Sequence, residues 1–359
     1  RFIDLPYRLH RDDPMWVAPL RSTVRALLDR RRNPFFEHSE AEYLLATDAA
    51  GRVTGRIAAI RNGRHGLFHP DETHVGFFGL FECVDDQAVA DALFDAAAAW
   101  LRGRGLSVMR GPASYSQNDE CGLLVDGFDT PPVILNPHNP RYYVGLVERA
   151  GFTRARDLLC YEGSGTAPPA RLVEAARTLA ARQRISLRPL DMRRFWEDVA
   201  HVKRLYNAAW ERNWGFVPMT DAEMDHLAKA LRPVVVPDLA VFAERDGEVI
   251  GLGLAIPDLN VALRHLRDGR LFPLGLFKLL WHRRRIHRLR ILILGVLPAY
   301  RRSGADALLY EWIWRHGNAL GYDWGEASWI LEDNAPMRNG LERMGFRVYK
   351  TLRLYDRAL

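Results

Sequence analysis

The sequence predicts an α/β (α+β) chain of two tandem units, each a mixed central sheet flanked by helices. Three observations carry this. A length of 359 residues gives a prior of two domains, and 48% hydrophobic with 26% charged residues is the balance of a folded chain. The chain also repeats itself: GRVTGRIAAI (51–60) answers GEVIGLGLAI (247–256), ADALF (90–94) answers ADALL (305–309), and GLVERAGF (145–152) answers GLERMGF (340–346). Finally, short apolar runs alternate with helix-period stretches, the pattern of mixed α/β layers.

Each copy opens with a strand pair and continues into a longer apolar strand, VGFFGLFEC (75–83) or ILILGVL (291–297). A helix follows. Val89, Leu93, Ala97, Trp100 and Leu101 form one helical stripe, and Ala305, Leu308, Leu309, Trp312, Ile313 and Leu320 form the other. Then come a further strand, a helix ending in Glu-Arg-x-Gly-Phe, and a last strand. The second copy carries about twenty extra residues before its helix, and the first recovers them in DTPPVILNPHNP (129–140). The units are expected at 1–165 and 185–359, with a basic-hydrophobic insertion at 261–290.

Composition narrows the setting. Cys83, Cys121 and Cys160 are far apart, without a CxxC pair or a metal-ligand spacing, so neither a disulfide framework nor a metal is expected. The first residues do not read as a signal peptide, and no uncharged run reaches the ~20 residues of a membrane span. The expected setting is cytoplasmic, at most peripheral on the inner face of a membrane. A formal charge of +6 suits an anionic partner.

Val296-Leu297-Pro298-Ala299-Tyr300-Arg301-Arg302-Ser303-Gly304, followed by Asn334-x-x-Met337 and Gly345-Phe346, resembles the GNAT superfamily of N-acyltransferases. The resemblance spans nearly the whole chain as two copies. It implies that Arg301, Arg302, Ser303 and Gly304 hold the phosphates of a coenzyme A thioester, with Gly295 and Val296 along the pantetheine and Asn334 in contact with it. The physics suits that turn, because a helix N-terminus offers unpaired N–H groups and a positive dipole end to an anion. Three positions depart from the superfamily pattern: Asp306 replaces a small residue, Leu341 stands where many members have a Tyr acid, and strand 291–294 carries no Glu. The first copy has acids at the matching turn, Glu82 to Gln87, so it is expected to bind no nucleotide and to shape the substrate cleft.

Asp119 and Glu120, beside Asn118 in the polar run 110–122, are candidate bases for deprotonating an amine. The competing reading is a turn whose Asn and Asp bond their own backbone. Glu332 is a second candidate base, because period two puts Glu326, Ser328, Ile330 and Glu332 on one strand face; helix capping is the alternative. Cys121 reads as a buried, inert thiol. Tyr206, Trp210, Asn213 and Trp214 belong to an aromatic cluster (206–220) that lines an acceptor cleft or simply packs a helix.

Residues 271–281 are apolar and run into a basic block, the pattern of an interfacial helix on anionic lipid. A coenzyme A phosphate patch and a buried helix with a basic exit are the alternatives. The block is short and carries no DNA-binding motif, so no nucleic acid is expected. NDECGLLVDGF, NWGFVPMT and SWILEDNAPM are similar to a bacterial group that includes the bacterial ceramide synthases. This implies a long-chain acyl-CoA, a lipid-like amine such as a sphingoid base, and an amide product. The alternatives are a non-catalytic acyl-CoA sensor and an aminoacyl-type transferase.

Overall fold

The computed structural model describes residues 1–164, 167–211 and 213–359. The expected boundary at 165, and Arg212 in the aromatic cluster, lie outside these. The first half runs α1 (Leu5–Leu9), α2 (Arg21–Leu28), β1 (Glu40–Thr47), β2 (Val53–Arg61), α3 (His65–Phe68), β3 (Val75–Cys83), α4 (Gln87–Arg102), β4 (Val108–Gly111), β5 (Leu123–Asp126), α5 (Tyr142–Arg149) and β6 (Thr153–Ser164). The second runs α6 (Ala170–Arg182), β7 (Ile185–Pro189), α7 (Phe195–Trp210), α8 (Asp221–Leu231), β8 (Ala240–Arg245), β9 (Glu248–Pro257), α9 (Asn260–Leu263), α10 (Gly275–Arg283), β10 (Arg288–Val296), α11 (Ala305–Ala319), β11 (Trp324–Leu331), α12 (Ala335–Arg343) and β12 (Arg347–Ala358).

The repeat is visible in the pairing. β1–β2–β3 and β8–β9–β10 are antiparallel meanders, and each ends on a parallel neighbour, β4 or β11. The right-handed crossover rule places a helix over each parallel step. α4 and α11 serve there, burying Leu93, Phe94, Ala97 and Leu101 in one core and Leu308, Leu309 and Ile313 in the other.

One arrangement differs from two self-contained units. The closing strand of each half completes the other half's sheet: β12 lies antiparallel to β4, β6 lies antiparallel to β11, and β6 and β12 pair from Arg347↔Glu162 to Asp356↔Thr153. The result is one continuous sheet in the order β1-β2-β3-β4-β12-β6-β11-β10-β9-β8-β7. These two strands are each twelve residues long, enough to span both neighbours at ~3.3 Å per residue.

The two parallel steps end differently, and this positions the site. β10 and β11 pair only from Arg288↔Trp324 to Ile291↔Ala327. β10 then continues to Val296 and β11 to Leu331, so the strands splay apart. In the first half the equivalent gap is closed by the chain itself, because Ala113 donates its N–H to the Phe78 carbonyl at 2.8 Å. Gly79 and Gly111 permit this close approach, since a Cβ at either would overlap the carbonyl of Ala113 or Phe78.

The insertion is not a buried helix. None of the residues of α10 is buried, and Leu276, Phe277, Leu280 and Trp281 are exposed. Among the described residues no helix is long and apolar enough to cross a membrane, and no group of His, Cys, Asp and Glu is arranged to hold a metal ion.

Candidate active site

One cavity of about 1960 Å³ joins the splay between β10 and β11 to the polar run of the first half. At one end Gly295 and Val296 line it from β10. A Cβ at Gly295 would strike the Trp210 ring, so this glycine lets α7 lie close against the splayed strand. The chain then turns through Arg302 (φ 68°) and Gly304 (φ 82°), both left-handed, into α11. The end of α11 has no side-chain cap beyond the 3.3 Å bond from the Ala305 N–H to Ser303 Oγ. In contrast, Asp86 occupies the N-terminus of α4 by accepting the Ala88 N–H at 2.9 Å. The second half therefore leaves free the anion-binding features that the first half covers with its own carboxylate.

Arg301 and Arg302 both line the cavity, and neither pairs with a carboxylate among the described residues; Arg301 makes one 3.4 Å bond to the Ala209 carbonyl. Ser303 is buried and supports the turn rather than lining the cavity, as does Gly304. Asp306 is exposed in the first turn of α11 and lines the cavity beside the arginines. Asn334 lines the opposite wall, where its Oδ1 caps α12 by accepting the Met337 N–H at 3.3 Å.

Asp119 and Glu120 reach the cavity from the loop between β4 and β5. Each keeps exposed surface toward the cavity, yet the surrounding protein displaces water from both carboxyls, and this desolvation pushes them up to about 7. Asp119 is further raised by Glu223 and Glu120, against the opposing 3.2 Å hydrogen bond from Ser116. Glu120 is raised by Glu82 and partly offset by Arg290 and Arg56. Its backbone carbonyl accepts the Ser114 N–H at 2.8 Å, but its carboxylate makes no hydrogen bond to the described residues. The loop does bond its own backbone, but through Ser116, whose Oγ accepts the Asn118 N–H at 3.1 Å, and its carboxylates still face the cavity.

The aromatic cluster meets this loop. Tyr206 donates to Asn118 Oδ1 at 2.9 Å, and Asn118 Nδ2 donates to the Val217 carbonyl at 2.9 Å. Trp210 lies 5.1 Å from Tyr206, ring to ring. Trp214 sits against the guanidinium groups of Arg110 and Arg156, and Asn213 completes this wall. Asn118, Asp119, Glu120, Tyr206, Trp210, Asn213 and Trp214 are thus brought together around one space.

Glu332 is not. It does not line the cavity, and it is held by Arg154 and by the Asp157 N–H at 3.1 Å. The register of β11 against β6 shifts between Ala327 and Ile330, so the expected alternation does not carry through. Cys121 is 1% exposed, and its burial drives the thiol far above its usual value, which leaves it inert.

Several cavity residues had no motif to announce them. Glu82 accepts from Tyr143 at 2.8 Å and lies 2.6 Å from His10 Nε2. Burial works to raise it, but His10, Arg56 and Tyr143 outweigh this and hold the carboxyl below its usual value. Arg290, 4% exposed, donates to the Ile134 carbonyl at 2.6 Å. Glu82 is the one charge of β3, Arg290 shares β10 with no other charge than Arg288, and a charge within an apolar strand is the available sequence signal. Tyr310 lines the cavity from α11, and its hydroxyl makes no hydrogen bond to the described residues.

Among solved structures, a tandem GNAT protein from the clavulanic acid biosynthesis pathway matches 99% of this chain and 93% of its own at a TM-score of 0.56 and 12% identity. A GCN5-related N-acetyltransferase from Sphaerobacter thermophilus matches 88% and 80% at a TM-score of 0.52 and 13% identity. The architecture is that of tandem GNAT proteins. No family model matches the chain. It is, however, 38% identical over 366 residues to the bacterial ceramide synthase of Caulobacter vibrioides, covering 100% of this chain and 94% of that one. It is also 34% identical over 374 residues to protein YghO of Escherichia coli, covering 100% and 92%. The chain belongs to the bacterial ceramide synthase family and is an N-acyltransferase.

Proposed function

We propose that the enzyme moves a long acyl chain from a coenzyme A thioester to the amine of a lipid-like acceptor of the sphingoid-base type. The observation that carries this is the single cavity that runs from the Arg301–Gly304 turn to Asp119 and Glu120. Its volume is roughly twice the upper end of ordinary ligand pockets, ~1,000 Å³, which leaves room for two long-chain substrates. On this reading the second half (185–359) binds the thioester through Gly295, Val296, Arg301, Arg302 and Asn334, with Ser303 and Gly304 shaping the turn that presents the arginines. The first half (1–165) shapes the acceptor cleft, and residues 271–290 meet the membrane in which such an acceptor dissolves.

The chemistry follows from the positions. Asp119 and Asn118, with Tyr206, hold the amine, and Glu120 takes its proton. The free nitrogen attacks the thioester carbonyl carbon and the C–N bond forms; the C–S bond then breaks with its electrons on the coenzyme A sulfur, which takes up the proton shed by the new amide nitrogen to leave as the free thiol. Backbone N–H groups of splayed β10 stabilise the oxyanion between these events. Orientation of two bound substrates supplies much of the remaining acceleration.

Thiol release tests the reading. With palmitoyl-coenzyme A and a sphingoid base, release should require both partners. Equal rates with acetyl-coenzyme A and a short soluble amine would contradict the long-chain assignment.

A further inference from the structure

Six of the fifteen exposed large apolar side chains among the described residues fall within ten residues, Leu274, Leu276, Phe277, Leu280 and Trp281 with Phe272 just before them. Phe272, Phe277 and Trp281 are 75%, 71% and 65% exposed. A monomeric surface rarely carries such a contiguous patch without a partner. On α10, Leu274, Phe277 and Trp281 stand three and four residues apart and so share the outward face, whereas Leu279 stands on the opposite face.

Charge identifies the partner. Residues 264–285 hold seven Lys or Arg (264, 267, 270, 278, 283, 284 and 285) and one acid, Asp268, a net +6. The whole chain also sums to +6, so the remaining 337 residues are neutral overall. All seven cations are exposed, and none is ion-paired to a carboxylate among the described residues. Aromatic side chains beside unpaired cations on a short surface helix match the interface of an anionic bilayer, where rings enter the headgroup boundary and cations meet lipid phosphate. The block is short and carries no groove-reading motif for nucleic acid.

The same helix forms part of the cavity wall. Leu279 lines the cavity together with Leu259 and Leu263 of the α9 region, and Leu20, Val24 and Leu27 line it from α2. His282 stacks on His265 at 3.6 Å, which ties α10 to the end of α9. The insertion is tied to α2 in turn, as Arg21 donates its N–H to the Gly269 carbonyl at 2.9 Å and its Nε–H to the Asp268 carbonyl at 2.8 Å.

We propose that α10 and its flanking cations dock on an anionic lipid bilayer, and that the apolar gap between α2 and α9–α10 admits the long-chain amine directly from the bilayer into the cavity. The docking surface stands on its own observations, while the identity of the lipid that passes rests on the function proposed above. A chain that enters this way keeps its methylenes out of water from leaflet to active site, which a route through solvent does not allow.

Co-sedimentation with vesicles tests the surface. The enzyme should pellet with phosphatidylglycerol-containing vesicles at least tenfold better than with pure phosphatidylcholine, and high salt should abolish the preference. Arg283→Gln/Arg284→Gln/Arg285→Gln should weaken that binding roughly 100-fold, and Phe277→Ser/Trp281→Ser should weaken it for both lipids. Neither set touches a buried side chain. Both should lower kcat/KM at least tenfold for an amine embedded in anionic vesicles while sparing a short soluble amine. Equal binding to both vesicle types, variants that bind like the parent, or capture of RNA without vesicles would overturn the proposal. Vesicle binding without thiol release from any donor–amine pair would leave the surface standing and overturn the acyl-transfer reading instead.

Discussion

Glu120→Gln is expected to lower kcat roughly 100- to 10,000-fold, the range for loss of a general base. The substitution keeps size and shape but cannot accept a proton. Glu120 is the better placed of the two adjacent acids because no described hydrogen bond occupies its oxygens, whereas Ser116 already binds Asp119. Its carboxyl lies near 7, raised chiefly by burial. A base works in its deprotonated form, so the rate of the parent enzyme should fall as pH drops through about 7. In the Gln variant that limb should vanish along with most of the activity. Asp119→Asn should behave differently, raising KM for the amine while retaining the limb. Rates across pH 5.5–9 at saturating acyl-coenzyme A separate the two roles. A Glu120→Gln enzyme with an unchanged pH profile would move the base elsewhere in the cavity.

Arg301→Ala/Arg302→Ala is expected to raise KM for acyl-coenzyme A about 100-fold while leaving saturated kcat within a few-fold. Hydrogen bonds from charged donors contribute ~1.5–3 kcal/mol each, and the lower figure applies because both arginines are exposed. The measurement needs a control for the turn itself, since Arg302 adopts a left-handed conformation at φ 68°. Arg302→Gly supplies it: glycine takes that conformation readily, so a loss of affinity there reports the charge. A second control is a palmitoyl thioester of N-acetylcysteamine, which lacks the phosphates and should be used equally by parent and double variant. A double variant with ordinary KM for palmitoyl-coenzyme A would place the phosphates away from this turn.

Much of this was legible in the sequence because it is local. The helix stripes of α4 and α11, the Gly-Phe ends of α5 and α12 and the turn before α11 each depend on residues near one another in the chain. Strand exchange left no such trace: β6 and β12 look like ordinary closing strands, and only long-range pairing decides which sheet each one completes. Glu332 shows how alternation misleads when an irregular register intervenes. The acids at 119 and 120 were found by polarity alone, but their neighbours were not. Glu82, Arg56 and Arg290 come from three strands, and only the fold sets them around Glu120. The cavity's α2 wall was equally silent, because a short, half-buried helix of mixed composition does not say in sequence what it faces.

The most direct test is to identify the product. Parent enzyme incubated with palmitoyl-coenzyme A and a sphingoid base in anionic vesicles should yield the N-palmitoyl amide, read by mass spectrometry of the lipid extract, in amounts equal to the thiol released. Free palmitate matching the thiol, with no amide at any amine concentration, would contradict the account.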